Sequence, residues 1–292
     1  MGKLNYLFFW IFRLLACVPI YFFFLFSPLL FVLIYYVFSY RKKVVFTNLH
    51  NAFPEKSDKD ITRIAKAFYW HLCDLLFENI KLFHYGQKQL DRHMFLRNAH
   101  IFDDDYNNGR SVILVSGHYN NWEMMLPHFN DIRHHYVILY HPLRNKFVDE
   151  MMYKNRSKTG SDPVPMQNYF RKIIEFNNKK ILTISWFIAD QTPPPESQFW
   201  TTFLNQDTPF FMGAEKTARK FNFPVYYIHL RKVRRGVYEG EFTRMFDQPK
   251  EEPEFAITEA IVRKMEQEII DEPQYWLWSH RRWKHKRPVV NL

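Results

Sequence analysis

Cysteine and glycine are scarce in this sequence. Its 292 residues include two cysteines, Cys17 in an apolar run and Cys73 in a helix-like run. They cannot form a disulfide framework and lack the spacing of metal ligands, so we predict no metal site, no cofactor and a reducing, cytosol-facing body. The chain contains only eight glycines and has no long polar tract, and both features argue against disorder. A hydrophobic content of 47% suits one large domain, or a domain with an anchor.

Acidic residues are also in deficit. The chain carries 30 Asp and Glu against 40 Lys and Arg, a formal net charge of +10. This excess predicts an anionic partner: nucleic acid, a membrane surface or an acidic carrier. Because aromatic residues reach 19%, the membrane interface is favoured, since rings and cations are both stable there.

Charge is absent from Leu14 to Phe38, a run of 25 residues. As a helix it would be about 37 Å long, enough to span a bilayer with some tilt. An in-plane or re-entrant helix is the alternative, because Pro19 and Pro28 could kink it. More cations follow the run than precede it, which predicts a membrane anchor at residues 1–43 and a cytoplasmic domain at residues 44–292.

The remaining pattern alternates between helix and strand. Residues 57–83 have the apolar spacing of an amphipathic helix, with Ser57 or Asp58 as N-cap. Buried strands are predicted at 111–116, 136–140, 180–189 and 223–230, and helices at 121–129, 145–156, 166–176, 213–221 and 254–270. This alternation predicts an α/β fold, with a largely parallel central sheet flanked by helices.

His118 and Glu123 stand out in the stretch "VILVSGHYNNWEMM". The H-x4-E spacing itself carries little weight, because chance alone produces such pairs and the chain holds two others. The position of His118 is more informative, since it follows a buried strand at the end where open α/β sheets bind ligands. Gly117 supplies a flexible step, so that Glu123 could accept the imidazole N–H and His118 could act as a base. A histidine packed under a loop, with a nearby surface glutamate, is the alternative.

No nucleophile motif such as G-x-S-x-G is present, so a hydroxyl supplied by the substrate is the expected nucleophile. Asp190 and Gln191 end the third predicted strand and should line the same crevice as His118. Asp190 is expected to position an acceptor or a basic side chain, or to cap the following segment. Arg144 and Arg156 could bind a phosphate or pantetheine group, or remain as solvated charges.

Five ordered blocks resemble the bacterial lipid A biosynthesis acyltransferases, the late lauroyl/myristoyl family of H-x4-D/E acyltransferases. They are "RKKVVFTNLHNAFPEKS", "GHYNNWE", "YHPLRNKFVDEMMYKNRSKTG", "ADQTPPP…FFMGAEKTARKFNFPV" and "EPQYWLWSHRRWKHKRP". Together they extend over essentially the whole chain. The resemblance implies a glycerolipid-acyltransferase-like fold with a transmembrane or membrane-embedded N-terminal helix.

The resemblance also implies a reaction, in which a lipid hydroxyl attacks a fatty-acyl thioester carried by acyl carrier protein. His118 would be the general base and Glu123 its orienting partner, while Asn121, Arg156, Asp190 and Gln191 would bind substrate. The acceptor would be a lipid A precursor at the cytoplasmic side of the inner membrane, with no nucleic acid partner. Alternatives are another glycolipid or aminolipid acceptor, acyl coenzyme A as donor, or a membrane-tethered binding protein without catalysis.

Departures from the family pattern are expected to affect the choice of acceptor and chain length more than the reaction. Asn120 and Asn205 stand where glycines are usual, and "PPPES" replaces a glycine-containing loop. The basic tail from His280 to Pro288 could contact anionic lipid head groups or an acidic carrier, or simply be solvated.

Overall fold

The computed structural model describes residues 16–125, 132–143, 145–158 and 160–288. The helices of the described residues, numbered in chain order, are α1 (Ile20–Phe31), α2 (Lys42–Ala52), α3 (Asp58–Leu82), α4 (Gln87–Leu90), α5 (Asp103–Asn107), α6 (Trp122–Met125), α7 (Lys146–Ser157), α8 (Tyr169–Asn178), α9 (Gly213–Phe221) and α10 (Ala256–Asp271). The strands are β1 (Met94–Leu96), β2 (Val112–Ser116), β3 (His135–Tyr140), β4 (Asp162–Pro165), β5 (Thr183–Ile188), β6 (Phe199–Phe203), β7 (Gln206–Phe210), β8 (Val225–Arg234) and β9 (Val237–Phe246).

A seven-stranded sheet forms the centre of the fold, in the order β1-β9-β8-β2-β5-β3-β4. Neighbouring strands are parallel except for the antiparallel pair β8 and β9. The predicted α/β fold with a largely parallel sheet is therefore confirmed. Strands β6 and β7 form a separate hairpin, whose turn residues Leu204 and Asn205 have φ values of 49° and 60°. Two-residue hairpin turns favour this left-handed backbone.

Strand β2 occupies the middle of the sheet and is buried on both faces. Val112 and Leu114 pack into one hydrophobic core, whereas Ile113 and Val115 pack into the other. These four side chains are 0% exposed. Because alternate residues of a strand point to opposite faces, a continuous apolar run is what a two-sided core requires. This burial fixes the position of the polar turn that follows β2.

The four predicted strands correspond to β2, β3, β5 and β8, and the long amphipathic helix corresponds to α3. Ser57 caps α3, because its Oγ accepts a hydrogen bond from the backbone N–H of Asp60 at 3.2 Å. The helix predicted over 121–129 begins as α6, and residues 126–131 lie outside the described part of the chain. Strands β1, β4, β6, β7 and β9 were not predicted.

The apolar N-terminal segment forms a helix that is long and hydrophobic enough to cross a membrane. The candidate span is Ile20–Val37, with 18 residues and a mean hydropathy of 2.2. It consists of α1 and a π-helical turn at Val32–Val37. Pro28 lies inside α1, where its missing N–H weakens the regular helical bonding just before the π-helical turn. Residues 14 and 15 of the predicted span lie outside the described residues.

Candidate active site

The candidate site lies where β2 and β5 end side by side. The two strands are parallel, and their register pairs Ser116 with Ile188. Two residues beyond that pair, the chain reaches His118 on one strand and Asp190 on the other. The carboxyl ends of parallel strands form the usual ligand-binding edge of an open α/β sheet. Strand register therefore brings an imidazole and a carboxylate together across 72 residues of sequence.

His118 and Asp190 make two hydrogen bonds. The imidazole Nδ1 is 2.5 Å from Asp190 Oδ1, and the backbone N–H of His118 donates to Oδ2 at 2.7 Å. Trp276 donates its indole N–H to the same Oδ2 at 2.8 Å. Burial alone would raise the pKa of Asp190, but the charge of His118 and these hydrogen bonds outweigh it and lower the pKa to about 2. An ionised Asp190 keeps the proton on Nδ1 and leaves Nε2 as the basic nitrogen.

Gly117 allows this close approach. A Cβ at residue 117 would lie 3.3 Å from Asp190 Oδ2 and 3.3 Å from Met265 Sδ. Both neighbours are in a packed interior, so a side chain here would push the carboxylate away from His118. The absence of a side chain, rather than an unusual backbone angle, is what this glycine contributes.

The second imidazole nitrogen faces the open side of the site. His118 Nε2 is 3.0 Å from Gln191 Nε2, and the ring packs edge-on against Trp122 at 4.9 Å between centroids. The His118 side chain is 13% exposed, compared with 2% for Asp190. A substrate hydroxyl that took the place of the Gln191 amide would be within hydrogen-bonding distance of Nε2.

Glu123 differs from its predicted contact. The expected acceptor of the imidazole N–H was Glu123, but in the structure that acceptor is Asp190. Glu123 instead holds Arg156, which donates from Nη2 to Oε1 and from Nε to Oε2 at 3.3 Å. Because α6 begins at Trp122, Glu123 sits in the first helical turn and points toward the last turn of α7. His118 lies in the turn before this helix, and the two bonds to Arg156 occupy the Glu123 carboxylate, which leaves Asp190 as the acceptor at Nδ1.

Asn121 also differs from its expected role. Its side chain is 1% exposed and points into the protein, where Nδ2 donates to Glu78 Oε2 at 2.8 Å. Its Oδ1 accepts from the backbone N–H of Met124 at 3.1 Å, at the start of the helix that carries Glu123. Both ends of the amide are thus used in fixing the turn, whereas substrate binding had been predicted.

Asn120 takes a left-handed backbone conformation, with φ at 51°. Its side chain is buried and donates to the carbonyl of Leu230 at 2.6 Å, while its backbone N–H donates to Tyr275 O at 3.0 Å. Asparagine tolerates this region better than other residues with a side chain, apart from glycine. The predicted departure from the family's glycine therefore leaves the backbone of the turn in a glycine-compatible conformation.

A family model described as bacterial lipid A biosynthesis acyltransferase matches residues 3–285, nearly the whole chain. The chain belongs to this family. It is accordingly an acyltransferase, and the family implies a lipid A-type acceptor. A comparison with curated proteins returned no match.

The C-terminal segment of this acyltransferase contributes site residues that the sequence had not indicated. Trp276 bonds to Asp190, and His280 Nε2 lies 3.2 Å from Thr192 Oγ1, directly after Gln191. Burial lowers the pKa of His280 to about 4, so its ring is neutral at pH 7. The two tryptophans of "YWLWSH" were the available signal, because a buried tryptophan usually needs a hydrogen-bond acceptor for its indole N–H.

The basic tail of the acyltransferase is only partly a solvated surface. Arg282 is 0% exposed and donates to Pro209 O at 2.5 Å, and burial lowers the pKa of its guanidinium to about 9. Arg287 forms an exposed bidentate pair with Asp207 at 2.6 and 2.9 Å. The tail thus packs on the β6–β7 hairpin. Arg144, the other predicted anion ligand, lies outside the described residues.

Proposed function

We propose that this acyltransferase moves a fatty-acyl chain from the thioester of acyl carrier protein to a hydroxyl of a lipid A precursor. The observation that supports the reaction is the buried Asp190 carboxylate bonded to Nδ1 of His118, with Nε2 directed to the accessible side. This arrangement is that of a general base with an orienting carboxylate. Membership of the family supports the acyl group and the lipid A-type acceptor.

In the proposed step, His118 Nε2 removes the proton from the acceptor hydroxyl while its oxygen attacks the thioester carbonyl carbon. The C–S bond of the tetrahedral intermediate then breaks, and the imidazolium returns its proton to the leaving thiolate. Asp190 stabilises the transient imidazolium, because it is ionised and bonded to Nδ1. Gln191 occupies the place of the incoming hydroxyl and would move aside on binding.

Glu123 and Arg156 are assigned a different role, that of holding the substrate. The carboxylate of Glu123 binds Nε and Nη2 of Arg156, and both side chains are largely buried. The Nη1 nitrogen of Arg156 has no hydrogen bond to a described residue and is the donor that we assign to an oxyanion or phosphate of the substrate. A guanidinium held by a carboxylate is pre-organised for such a contact.

A cavity of about 540 Å³ is the candidate site for the acyl chain. Its apolar lining includes Phe38, Leu72 and Leu76, and its polar end includes His280. His280 touches Thr192, the neighbour of Gln191, so the cavity ends close to the catalytic histidine. The acyl chain of the donor begins at the reacting carbonyl, so it must start close to His118. The cavity therefore suits the donor chain, and its volume is within the usual range for ligand pockets.

The proposed location is the cytoplasmic side of the inner membrane. The apolar helix Ile20–Val37 is followed closely by Arg41, Lys42 and Lys43, and such cations are attracted to the anionic cytoplasmic leaflet whether the helix spans the bilayer or lies in its plane. The net charge of +10 suits association with an acidic carrier protein as the acyl donor.

The test is a transfer assay with the full-length protein in detergent. Labelled acyl carrier protein or acyl coenzyme A is incubated with a lipid A precursor, and the lipid product is identified by mass spectrometry. We expect transfer by the wild type and its loss in His118→Ala. The matched control is His135→Ala. His135 also pairs with an aspartate, since its Nε2 is 3.2 Å from Asp162 Oδ2, but this pair is not part of the candidate site. Absence of any lipid product would contradict the proposed function, and undiminished transfer by His118→Ala would contradict its mechanism.

A further inference from the structure

The apolar helix has one covered face and one bare face. Its covered face packs on α3 in an antiparallel pair, in which Phe23 stacks on Phe77 at 5.1 Å and Tyr35 meets Tyr69 at 5.2 Å. The bare face carries side chains that are 45 to 74% exposed and that recur at each turn of the helix; they are Tyr21, Phe22, Leu25, Phe26, Leu29, Val32, Tyr36 and Val37. A continuous exposed apolar stripe of this length marks a surface that meets lipid or another apolar partner.

Polar contacts fasten the helix to the domain at its middle. Ser27 donates to Asp74 at 3.0 Å, and Arg235 binds the same carboxylate at 2.6 and 3.0 Å. The Arg235 side chain is 36% exposed and lies 4.2 Å above the ring of Phe24. If α1 crossed the bilayer in this position, the partly exposed Arg235 and its partner Asp74 would stand in the middle of the hydrocarbon, where charged side chains are costly. A helix lying in the plane of the interface avoids that cost.

A second cavity opens beside the first turn of α1. Its volume is about 550 Å³, and its apolar wall includes Pro19, Ile20 and Tyr21. Tyr21 is 74% exposed and also belongs to the bare face of the helix. The lining also includes Arg92 and Arg234, from the segment before β1 and from the end of β8. Asp91 is the one carboxylate of the lining, against the four cations Lys81, Arg92, Arg234 and Arg235, so the charged part of the cavity is net cationic.

Arg92 and Arg234 form no ion pair or side-chain hydrogen bond with any described residue, and both are exposed. The other cations of the cavity are engaged, since Lys81 donates to Val18 O at 2.8 Å and Arg235 binds Asp74. Two arginines nearby in the sheet are also engaged. Arg97 and Arg231 share Glu239, at 3.1 and 3.0 Å. The two unpaired guanidinium groups therefore favour an anionic ligand that reaches this cavity.

We propose that this cavity binds the phosphate of an anionic phospholipid head group while α1 lies in the plane of the interface. Guanidinium groups match phosphate oxygens in a bidentate geometry. The acyl chains of the bound lipid continue along the bare face of the helix, which begins at Tyr21. An acidic carrier protein would also meet the two arginines, but a soluble partner would leave the apolar stripe uncovered. The proposal rests on the membrane location proposed above and is independent of acyl transfer.

The experiment measures binding of the full-length protein to vesicles by flotation. Vesicles of phosphatidylcholine alone are compared with vesicles that contain phosphatidylglycerol, for the wild type and Arg92→Gln/Arg234→Gln. Each cation near an anionic surface contributes about 1 kcal/mol, so the double variant should bind phosphatidylglycerol vesicles about 30-fold more weakly. The matched control is Arg97→Gln/Arg231→Gln, which removes the same charge from the same part of the sheet.

We expect the control to lose less than about threefold, since Arg97 and Arg231 do not line the cavity and are both engaged by Glu239. Equal losses in both double variants would overturn the proposal, because they would reflect net charge alone. It would also be overturned if Arg92→Gln/Arg234→Gln weakened binding of acyl carrier protein and left vesicle binding unchanged. Because no catalysis is measured, failure of this test is distinct from failure of the proposed acyl transfer.

Discussion

Asp190→Asn tests the assignment of the orienting carboxylate. Asp190 accepts hydrogen bonds from the backbone N–H of His118, from its Nδ1 and from the Trp276 indole. Two of these bonds end on Oδ2, so the single oxygen of an asparagine should settle in that place. The NH2 group would then face Nδ1, which must become an acceptor. The imidazole proton moves to Nε2, and the basic nitrogen is lost.

The expected size of the effect follows from this change of tautomer. The corresponding substitution in Ser-His-Asp hydrolases lowers kcat by about 10⁴-fold. His118 stands in the same relation to its carboxylate, so we expect kcat to fall by about 10³- to 10⁴-fold, or about 4 to 5.5 kcal/mol of transition-state stabilisation. KM should change by no more than about threefold, because Asp190 is 2% exposed and its two oxygens are bonded to His118 and Trp276.

The assay is initial-rate kinetics of acyl transfer, with thermal unfolding measured in parallel to establish that the variant is folded. Asp162→Asn is the matched control, because it removes the carboxylate of the exposed His135–Asp162 pair and should leave kcat unchanged. Glu123→Gln should raise KM more than it lowers kcat, since Glu123 holds Arg156. The reasoning would be refuted if Asp190→Asn retained kcat within about tenfold while Glu123→Gln lost about a thousandfold.

Three sets of variants test the turn, the C-terminal segment and the cavity proposed for the acyl chain. Asn120→Gly keeps the left-handed backbone but loses the bond to Leu230, so we expect its unfolding free energy to fall by about 1 kcal/mol. Asn120→Val also adds backbone strain, so its unfolding free energy should fall by about 3 kcal/mol, and equal losses in denaturant unfolding would contradict this. The pKa of His280 is about 4 in the folded state against 6.5 ordinarily, so stability should fall as pH drops from 6.5 toward 4, where the unfolded chain takes up the proton first. His280→Gln should flatten this pH dependence, and an unchanged slope would count against it. Leu76→Trp should shift donor preference to shorter chains, whereas Phe95→Trp, at the cavity beside Arg92, should not.

The predicted fold came from hydrophobic pattern, and its omissions have physical reasons. Strands β2 and β5 are buried on both faces, so their sequences are continuous apolar runs that periodicity detects. Strand β4 reads "DPVP" and lies at the edge of the sheet, where prolines are tolerated because one side needs no hydrogen-bond donors. Propensity argues against a strand there, and only the neighbouring strand β3 makes it one.

The sequence predicted which residues would form the candidate site. It did not predict that His118 would bond to Asp190 or that Glu123 would bond to Arg156. His118, Asp190 and Gln191 were expected in one crevice, and they meet there. The partner of His118 could not be chosen from spacing, because the pairing of Ser116 with Ile188 depends on the order of strands in the sheet. Glu123 is five residues away in sequence, but its carboxylate is bonded to Arg156 instead. Sequence distance favoured the wrong carboxylate, and the register of β2 and β5 brings Asp190 to Nδ1 instead.

The structure distinguishes among the three departures from the family pattern that were expected to affect the choice of acceptor. Two of the three departures replace glycine by asparagine, at Asn120 and Asn205, and both residues have positive φ. Their side chains also bond inward, to the carbonyls of Leu230 and Ala52. These substitutions preserve the backbone, and both side chains are engaged by main-chain carbonyls. The third departure is different, since the loop at 193–197 follows Gln191 and Thr192 directly and exposes Pro194 and Glu196. We therefore expect this proline-rich loop to affect the choice of acceptor more than Asn120 or Asn205 does.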